Sequence, residues 1–268
     1  MRRALIAAAI LAAVTAHAQR PFGFGISQTE QVTRGLVSYW SMRNSGTTVF
    51  DEKGSNNGSA SNSPTFSAAN GVVGNGVGLD GATQYITMGN VLADTFGGAD
   101  KKFSIAAWVM FAATGNWYVI AAKYNANINQ RGFLLRRGNG KLAFDFENKA
   151  ISDYRTVLGS TTLSESVWYH CAVVYDGAVN TNDGLDRVKL YVNGARETES
   201  LFETFGALVD IQVNTASLAI GAVGGGPGQG FEAFINGRVD EVRIYNVLLD
   251  PDEIKQLYRM GAYVYANR

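Results

Sequence analysis

From Leu36 to Tyr245 the chain repeats one pattern, in which short runs rich in Val, Ile, Phe, Tyr and Trp are separated by clusters of Gly, Asn, Asp and Ser. Apolar runs with that punctuation are strand signals. They predict strands at Leu36 to Met42, Tyr85 to Met88, Phe103 to Phe111, Trp117 to Lys123, Gly132 to Arg137, Lys141 to Glu147, Trp168 to Asp176, Arg187 to Asn193, Ser217 to Ile220 and Phe234 to Tyr245. Asn139-Gly140 and Asn193-Gly194 predict hairpins, because both residue types accept the positive φ of a type I′ turn. In Arg187 to Asn193 and Arg238 to Tyr245 charges alternate with aliphatics. Val239, Val242 and Ile244, with one local irregularity, then face a core while Arg243 faces out. Many half-buried strands in succession predict an all-β fold of two antiparallel sheets packed face to face.

One helix closes the pattern. Asp250 caps it, Pro251 takes the first turn, and Asp252 and Glu253 favour the positive end of the helix dipole. Ile254, Leu257 and Tyr258 form its apolar stripe, which predicts a short amphipathic helix against the sandwich. At the other end, Arg2 and Arg3 precede the apolar run Ala4 to Val14 and the small-residue step Ala16-His17-Ala18, which reads as a signal peptide over Met1 to Ala18. Residues 19–34 are polar and without period, a leader or linker. The single domain is expected over residues 35–268, and no later stretch is long and uncharged enough for membrane insertion of the mature chain.

Lys plus Arg and Asp plus Glu number 23 each, and removal of Arg2 and Arg3 leaves the mature form slightly acidic. Neither nucleic acid nor an anionic membrane is therefore a favoured partner. Cys171 is the only cysteine, so no internal disulfide forms. In the apolar run Trp168 to Tyr175 it reads as a buried structural thiol, and its neighbour His170 points to the opposite strand face, which removes a Cys-His nucleophilic pair.

Several segments, taken in order, resemble the laminin-G-like family of concanavalin-A-like domains. They are Gly35-Leu36-Val37-Ser38-Tyr39-Trp40, the Asp51-to-Gly58 loop, Gly78-Leu79-Asp80-Gly81 with Gln84-Tyr85-Ile86, Phe103 to Val109, Trp168 to Gly177, Lys189 to Gly194 and Asn236 to Asn246. The resemblance implies a jelly-roll sandwich and an extracellular adhesion, carbohydrate-binding or accessory module, as many relatives are. It also implies a structural calcium, with Asp51, Asn56 and Asp240 as its ligands. Where relatives often carry an acid after the opening strand, this chain has Arg43, a cation that can take over the ion's charge.

The remaining chemistry is sparse. His170 is the one histidine beyond the signal segment, which excludes a His-rich zinc site; it is expected to pack in the sandwich or orient a loop. Jelly-roll glycosidases carry paired carboxylates on one strand face, and here Asp145 and Glu147 are the one candidate pair, expected on a solvated outer face. The polar stretch Asp176 to Asp186, with Asn180, Asn182 and Asp183, lacks the EF-hand order and reads as a hairpin loop. Gly221 to Gly230 reads as a loop at the rim of a binding surface.

Sugars are held by aromatic faces beside planar donors. Trp117, Tyr118, Tyr124 and Asn125, with Arg136 and Arg137 opposite, supply that combination. Trp40, Trp108 and Trp168 are assigned to packing, whereas for Trp117 edge packing and a ligand contact both stay open. The first expectation is a secreted or cell-surface, non-enzymatic module that binds a glycan or a cell-surface protein. The alternatives are a structural or protein-interaction subunit without a sugar site, and a glycoside hydrolase or lyase using Asp145 and Glu147.

Overall fold

The structure, a computed structural model, describes residues 32–43, 46–113, 117–125, 129–148, 153–179, 184–206, 210–224 and 233–267. The expected signal peptide, most of the leader, the Asn180, Asn182 and Asp183 cluster and most of the Gly-rich loop fall outside the described residues. The strands are β1 (Leu36–Trp40), β2 (Thr48–Val49), β3 (Gly58–Ser61), β4 (Thr65–Ser67), β5 (Gly76–Asp80), β6 (Tyr85–Gly89), β7 (Lys102–Phe111), β8 (Trp117–Asn125) and β9 (Gln130–Gly138). There follow β10 (Lys141–Asn148), β11 (Asp153–Thr162), β12 (Trp168–Asp176), β13 (Val188–Val192), β14 (Ala195–Arg196), β15 (Ser200–Phe205), β16 (Leu218–Ile220) and β17 (Asn236–Tyr245).

They form two antiparallel sheets. One has the order β14-β13-β12-β7-β17-β5-β4 with β1 also on β17, and the other runs β15-β11-β10-β9-β8-β16-β6-β3-β2. Alternation along each strand sends one set of side chains between the sheets. Phe103, Ile105, Val109 and Phe111 of β7, and Cys171, Val173 and Tyr175 of β12, meet Phe133, Leu135, Phe144 and Phe146 of the facing sheet. Both Asn-Gly hairpins form as expected, with φ of 50° and 75° at Asn139 and Gly140 and of 52° and 76° at Asn193 and Gly194. The irregularity in β17 is a bulge between Asp240 and Arg243, with Glu241 at φ 54°. Strands β2, β3, β4, β5, β11, β14 and β15 lie outside the sequence-predicted set.

A second core lies on the far side of the first sheet. The C-terminal helix Pro251–Ala266 packs Ile254 and Leu257 onto Ala106, Ala172, Val174, Tyr191 and Tyr245, and Ala262 onto Trp108, Met110 and Trp168. Both faces of β7 are thus covered, which explains why Ile105 to Phe111 is a continuous apolar run. A Cβ on Gly261 would sit 2.3 Å from the Trp108 Nε1, so only glycine lets the helix come this close. Asp250 accepts from the Asp252 and Glu253 amides at 2.9 and 2.8 Å, and Glu253 returns a bond to the Asp250 amide at 2.8 Å. A cap of this kind is worth about 0.5–2 kcal/mol. Glu253 also takes two bonds from Arg34, at 2.9 and 2.7 Å, and Val32 is buried in the same cluster as Leu257, so Val32 and Arg34, ahead of Gly35, pack against the helix. Among the described residues no helix is long and apolar enough to cross a membrane.

Candidate functional site: a pocket on the outer face of the nine-stranded sheet

The same alternation that sends Leu142, Phe144 and Phe146 inward turns Asp145 and Glu147 of β10 outward, with Tyr154 and Thr156 of β11 beside them. On β9, parity alone would send Arg131 inward with Phe133. A register shift between β8 and β9 at Lys123/Tyr124 leaves Gly132 unpaired and returns Arg131 to the outer face, opposite Tyr124. A Cβ at Gly132 would meet the Lys123 carbonyl at 2.6 Å, so the bulge requires glycine there.

These residues enclose a pocket of about 470 Å³, bordered by Trp117, Tyr124, Tyr154 and Glu203 among others. Its two β10 carboxylates are paired. Arg136 donates to both oxygens of Asp145 at 2.5 and 2.9 Å, and Arg131 donates to Glu147 at 2.7 Å. The Tyr124 hydroxyl donates to the other Glu147 oxygen at 2.8 Å. Burial pushes the Asp145 carboxyl up, against the pull of the Arg136 guanidinium. Burial, with Glu147 adding to it, also raises the Tyr124 phenol, which stays protonated as a donor.

Trp117 is 52% exposed, and its ring lies 3.9 Å from the Arg136 guanidinium carbon. Gly138, its partner across the β8–β9 ladder, leaves the room, since a Cβ there would meet an Arg136 terminal nitrogen at 2.0 Å. On the far side Tyr154 stacks with Phe205 at 6.2 Å and 17°. The aromatic faces at both ends and the committed acid–base pairs between them form a surface that can stack on C–H faces and accept or donate hydrogen bonds in plane.

Of the sequence-predicted ligand set, the structure brings together Trp117, Tyr124 and Arg136. It separates the other three. Tyr118 stacks on the core ring of Phe111 at 6.1 Å, and Arg137 spends its guanidinium on the Leu163 carbonyl at 3.2 and 3.1 Å, also beside Phe111. Asn125 is buried. The reason is the strand period, since neighbours in sequence face opposite sides of a sheet. Asp145 and Glu147 do lie on the outer face, but in ion pairs rather than in solvent. Tyr154, Thr156, Glu203 and Phe205 were missed because β11 and β15 are polar; the alternation Tyr154-Arg155-Thr156-Val157 was the available signal.

The two carboxylates of the expected calcium set are engaged by backbone amides. Asp51 Oδ1 accepts from the amides of Tyr39, Lys53 and Gly54 at 2.9, 3.1 and 2.9 Å, and Oδ2 accepts from Asn56 at 3.1 Å. Asn56 spends its side-chain amide on Ser38 at 2.9 Å and its carbonyl on the Trp40 indole at 2.9 Å. Asp240 accepts from Val72, Val73 and its neighbour Glu241 at 2.7, 2.9 and 2.8 Å. Burial and Glu241 raise its carboxyl to about 7. Arg43 pairs with Glu241 at 3.2 Å, a cation already in place. Ca²⁺ takes six to eight oxygen ligands, and here the carboxylate oxygens also serve as amide acceptors that shape the loops. Among the described residues no group of three or more His, Cys, Asp or Glu is placed to hold a metal.

His170 and Cys171 are structural. His170 is buried under the C-terminal helix with its ring 5.5 Å from Trp108, and burial lowers it to about 3; burial pushes the Cys171 thiol up. A second depression, near Asp80, Gln84, Asn236 and Arg238, has no aromatic ring in its lining.

Residues 80–255 match a laminin G family model, described as the concanavalin A-like lectin/glucanases superfamily. No curated protein matches the chain in sequence. Among solved structures, it is similar to the binding domain of Paraclostridial Mosquitocidal Protein 1, with a TM-score of 0.62, 15% identity and coverage of 85% of this chain and 52% of that one. It is also similar to domain 4 of AbnA, a GH43 extracellular arabinanase from Geobacillus stearothermophilus, in complex with arabinotriose (0.56, 17%, 84% and 98%). A third is the ligand binding domain of botulinum neurotoxin serotype D in complex with N-acetylneuraminic acid (0.59, 13%, 87% and 53%). The chain spans about half the length of the toxin domains it matches. At these identities the likeness is one of fold.

Proposed function

The chain belongs to the concanavalin A-like lectin/glucanases superfamily, and on that premise we propose that it is a secreted, non-catalytic carbohydrate-binding module whose glycan sits on the outer face of the nine-stranded sheet. The observation that carries the reading is Trp117, an exposed indole held flat by Arg136 at the mouth of a pocket with a second aromatic face at Tyr154. A large apolar ring kept in solvent on a rigid strand costs solubility, and stacking on a sugar face gives it a use. Relatives in fold were solved with arabinotriose and with N-acetylneuraminic acid, which supports a glycan as the ligand class. The signal-like opening segment supports export.

Binding is favoured over hydrolysis by the state of the two carboxylates. A glycosidase needs one carboxyl free to protonate the leaving oxygen and one free to attack or to activate water. Asp145 is held by Arg136 at both oxygens, and Glu147 is held by Arg131 and Tyr124. Titration of oligosaccharides into the wild type and Trp117→Ala tests the reading. A ligand that binds the first and loses most of its affinity for the second supports it, while equal binding to both overturns it.

A second reading, a protein-interaction subunit, draws on β15. This strand is one edge of its sheet and exposes Phe202 and Phe205. An exposed edge with large apolar side chains can pair with another chain.

A further inference from the structure

The charges around the pocket are matched except at one position. Arg136 is bidentate to Asp145, and Arg131 reaches Glu147 through one terminal nitrogen, so each cation is already matched by a carboxylate. Glu203 faces the same pocket from β15, opposite Thr156, and is exposed. It has no hydrogen-bond or ion-pair partner among the described residues. Counting Arg136 behind the lining, two cations face the three carboxylates Asp145, Glu147 and Glu203, so one negative charge is in excess, at a carboxylate whose accepting positions are open.

We propose that Glu203 is the specificity-determining residue of the pocket and that it selects an oligosaccharide with a free primary amine, a hexosamine unit, over N-acetylated and acidic sugars. The inference rests on the reading of the pocket as a glycan site. An ammonium group brings three donors and a positive charge to an acceptor that has neither. A uronic or sialic acid brings a further carboxylate to a pocket whose cations are already outnumbered by Asp145, Glu147 and Glu203, so repulsion sets the discrimination. A neutral sugar gains the stacking on Trp117 without the charge.

The test titrates glucosamine, N-acetylglucosamine and galacturonate oligomers of equal length into the wild type, Glu203→Gln and Trp117→Ala, at mildly acidic pH and at two salt concentrations. The glucosamine oligomer is expected to bind the wild type about fivefold more tightly than the N-acetylated one, as for a single partly exposed ion pair. Glu203→Gln removes that advantage, and high salt reduces it. Galacturonate binding as tightly as glucosamine overturns the proposal, as does an amine preference that persists in Glu203→Gln. If oligomers bind in a Trp117-dependent way without amine preference, the charge selection fails alone. If none of these and no neutral glycan binds, the pocket itself is not a glycan site.

Discussion

The Trp117 indole lies over the Arg136 guanidinium, with the ring centre 3.9 Å from its central carbon, and the same guanidinium is bidentate to Asp145. One arginine thus links an exposed aromatic surface to a buried carboxylate. The ring is held in one orientation by a residue that is itself held from below, which lowers the entropy lost when a ligand stacks on it. Trp117→Ala is expected to weaken glycan binding about tenfold, in line with the loss of one stacked ring. Calorimetric titration reads the affinity, and the melting temperature should stay near the wild-type value because the ring is mostly in solvent.

The Arg136–Asp145 pair has the opposite signature. Both partners are buried, so Arg136→Met alone leaves a carboxylate without its cation, at an expected cost of about 3–5 kcal/mol. Adding Asp145→Leu to Arg136→Met should recover much of that loss in urea unfolding. A double mutant no more stable than the single one would show that the pair is not the source of the cost.

His170 should make the protein acid-sensitive. Its folded pKa is lowered to about 3 from 6.5, because burial under the C-terminal helix and the nearby Arg243 disfavour the imidazolium. The stability associated with the neutral ring is complete above 6.5 and is lost as the pH falls, since the unfolded chain takes up a proton that the folded one refuses. The slope is about 1.4 kcal/mol per pH unit over that window. His170→Phe should flatten the wild-type curve between those limits, as measured by urea unfolding at stepped pH. Asp240 and the other buried acids titrate alike in both proteins and drop out of the difference. Parallel curves would refute the assignment.

Gly261 offers a test of the helix contact by sign. In a free helix Gly→Ala stabilises by about 1 kcal/mol. Against Trp108 the added Cβ has no room, and Gly261→Ala is expected to destabilise by about 1–3 kcal/mol. A rise in melting temperature would mean that helix and sheet do not touch there.

Calcium should leave stability unchanged. A ligand that binds only the native state raises the melting temperature, and the oxygens of Asp51 and Asp240 are spent on backbone amides. Equal melting temperatures in calcium and in EDTA are expected; a clear rise in calcium would restore the ion implied by the family resemblance.

The fold was largely legible because its cues are local. Asn139-Gly140 and Asn193-Gly194 set the hairpins, the Asp250 cap started the helix, and the apolar run of β7 marked a strand. The site was legible only in part. Trp117, Tyr124 and Arg136 could be nominated as an aromatic and donor set, but sequence neighbourhood also drew in Tyr118 and Arg137, which the strand period sends to the other side. Glu203 and Tyr154 reach the pocket through pairing of β15 with β11, a contact between segments far apart in sequence that carries no local mark. Asp51 and Asp240 resemble ion ligands by residue type, and only the positions of the surrounding amides show what they hold.

The most direct measurement is the indole N–H spectrum of the four tryptophans, recorded by nitrogen-15 NMR during titration with an oligosaccharide that binds. Trp117 is predicted to shift in a saturable way while the buried Trp40, Trp108 and Trp168 stay in place. A ligand that saturates the protein and leaves the Trp117 signal where it was would contradict the placement of the glycan on this sheet face.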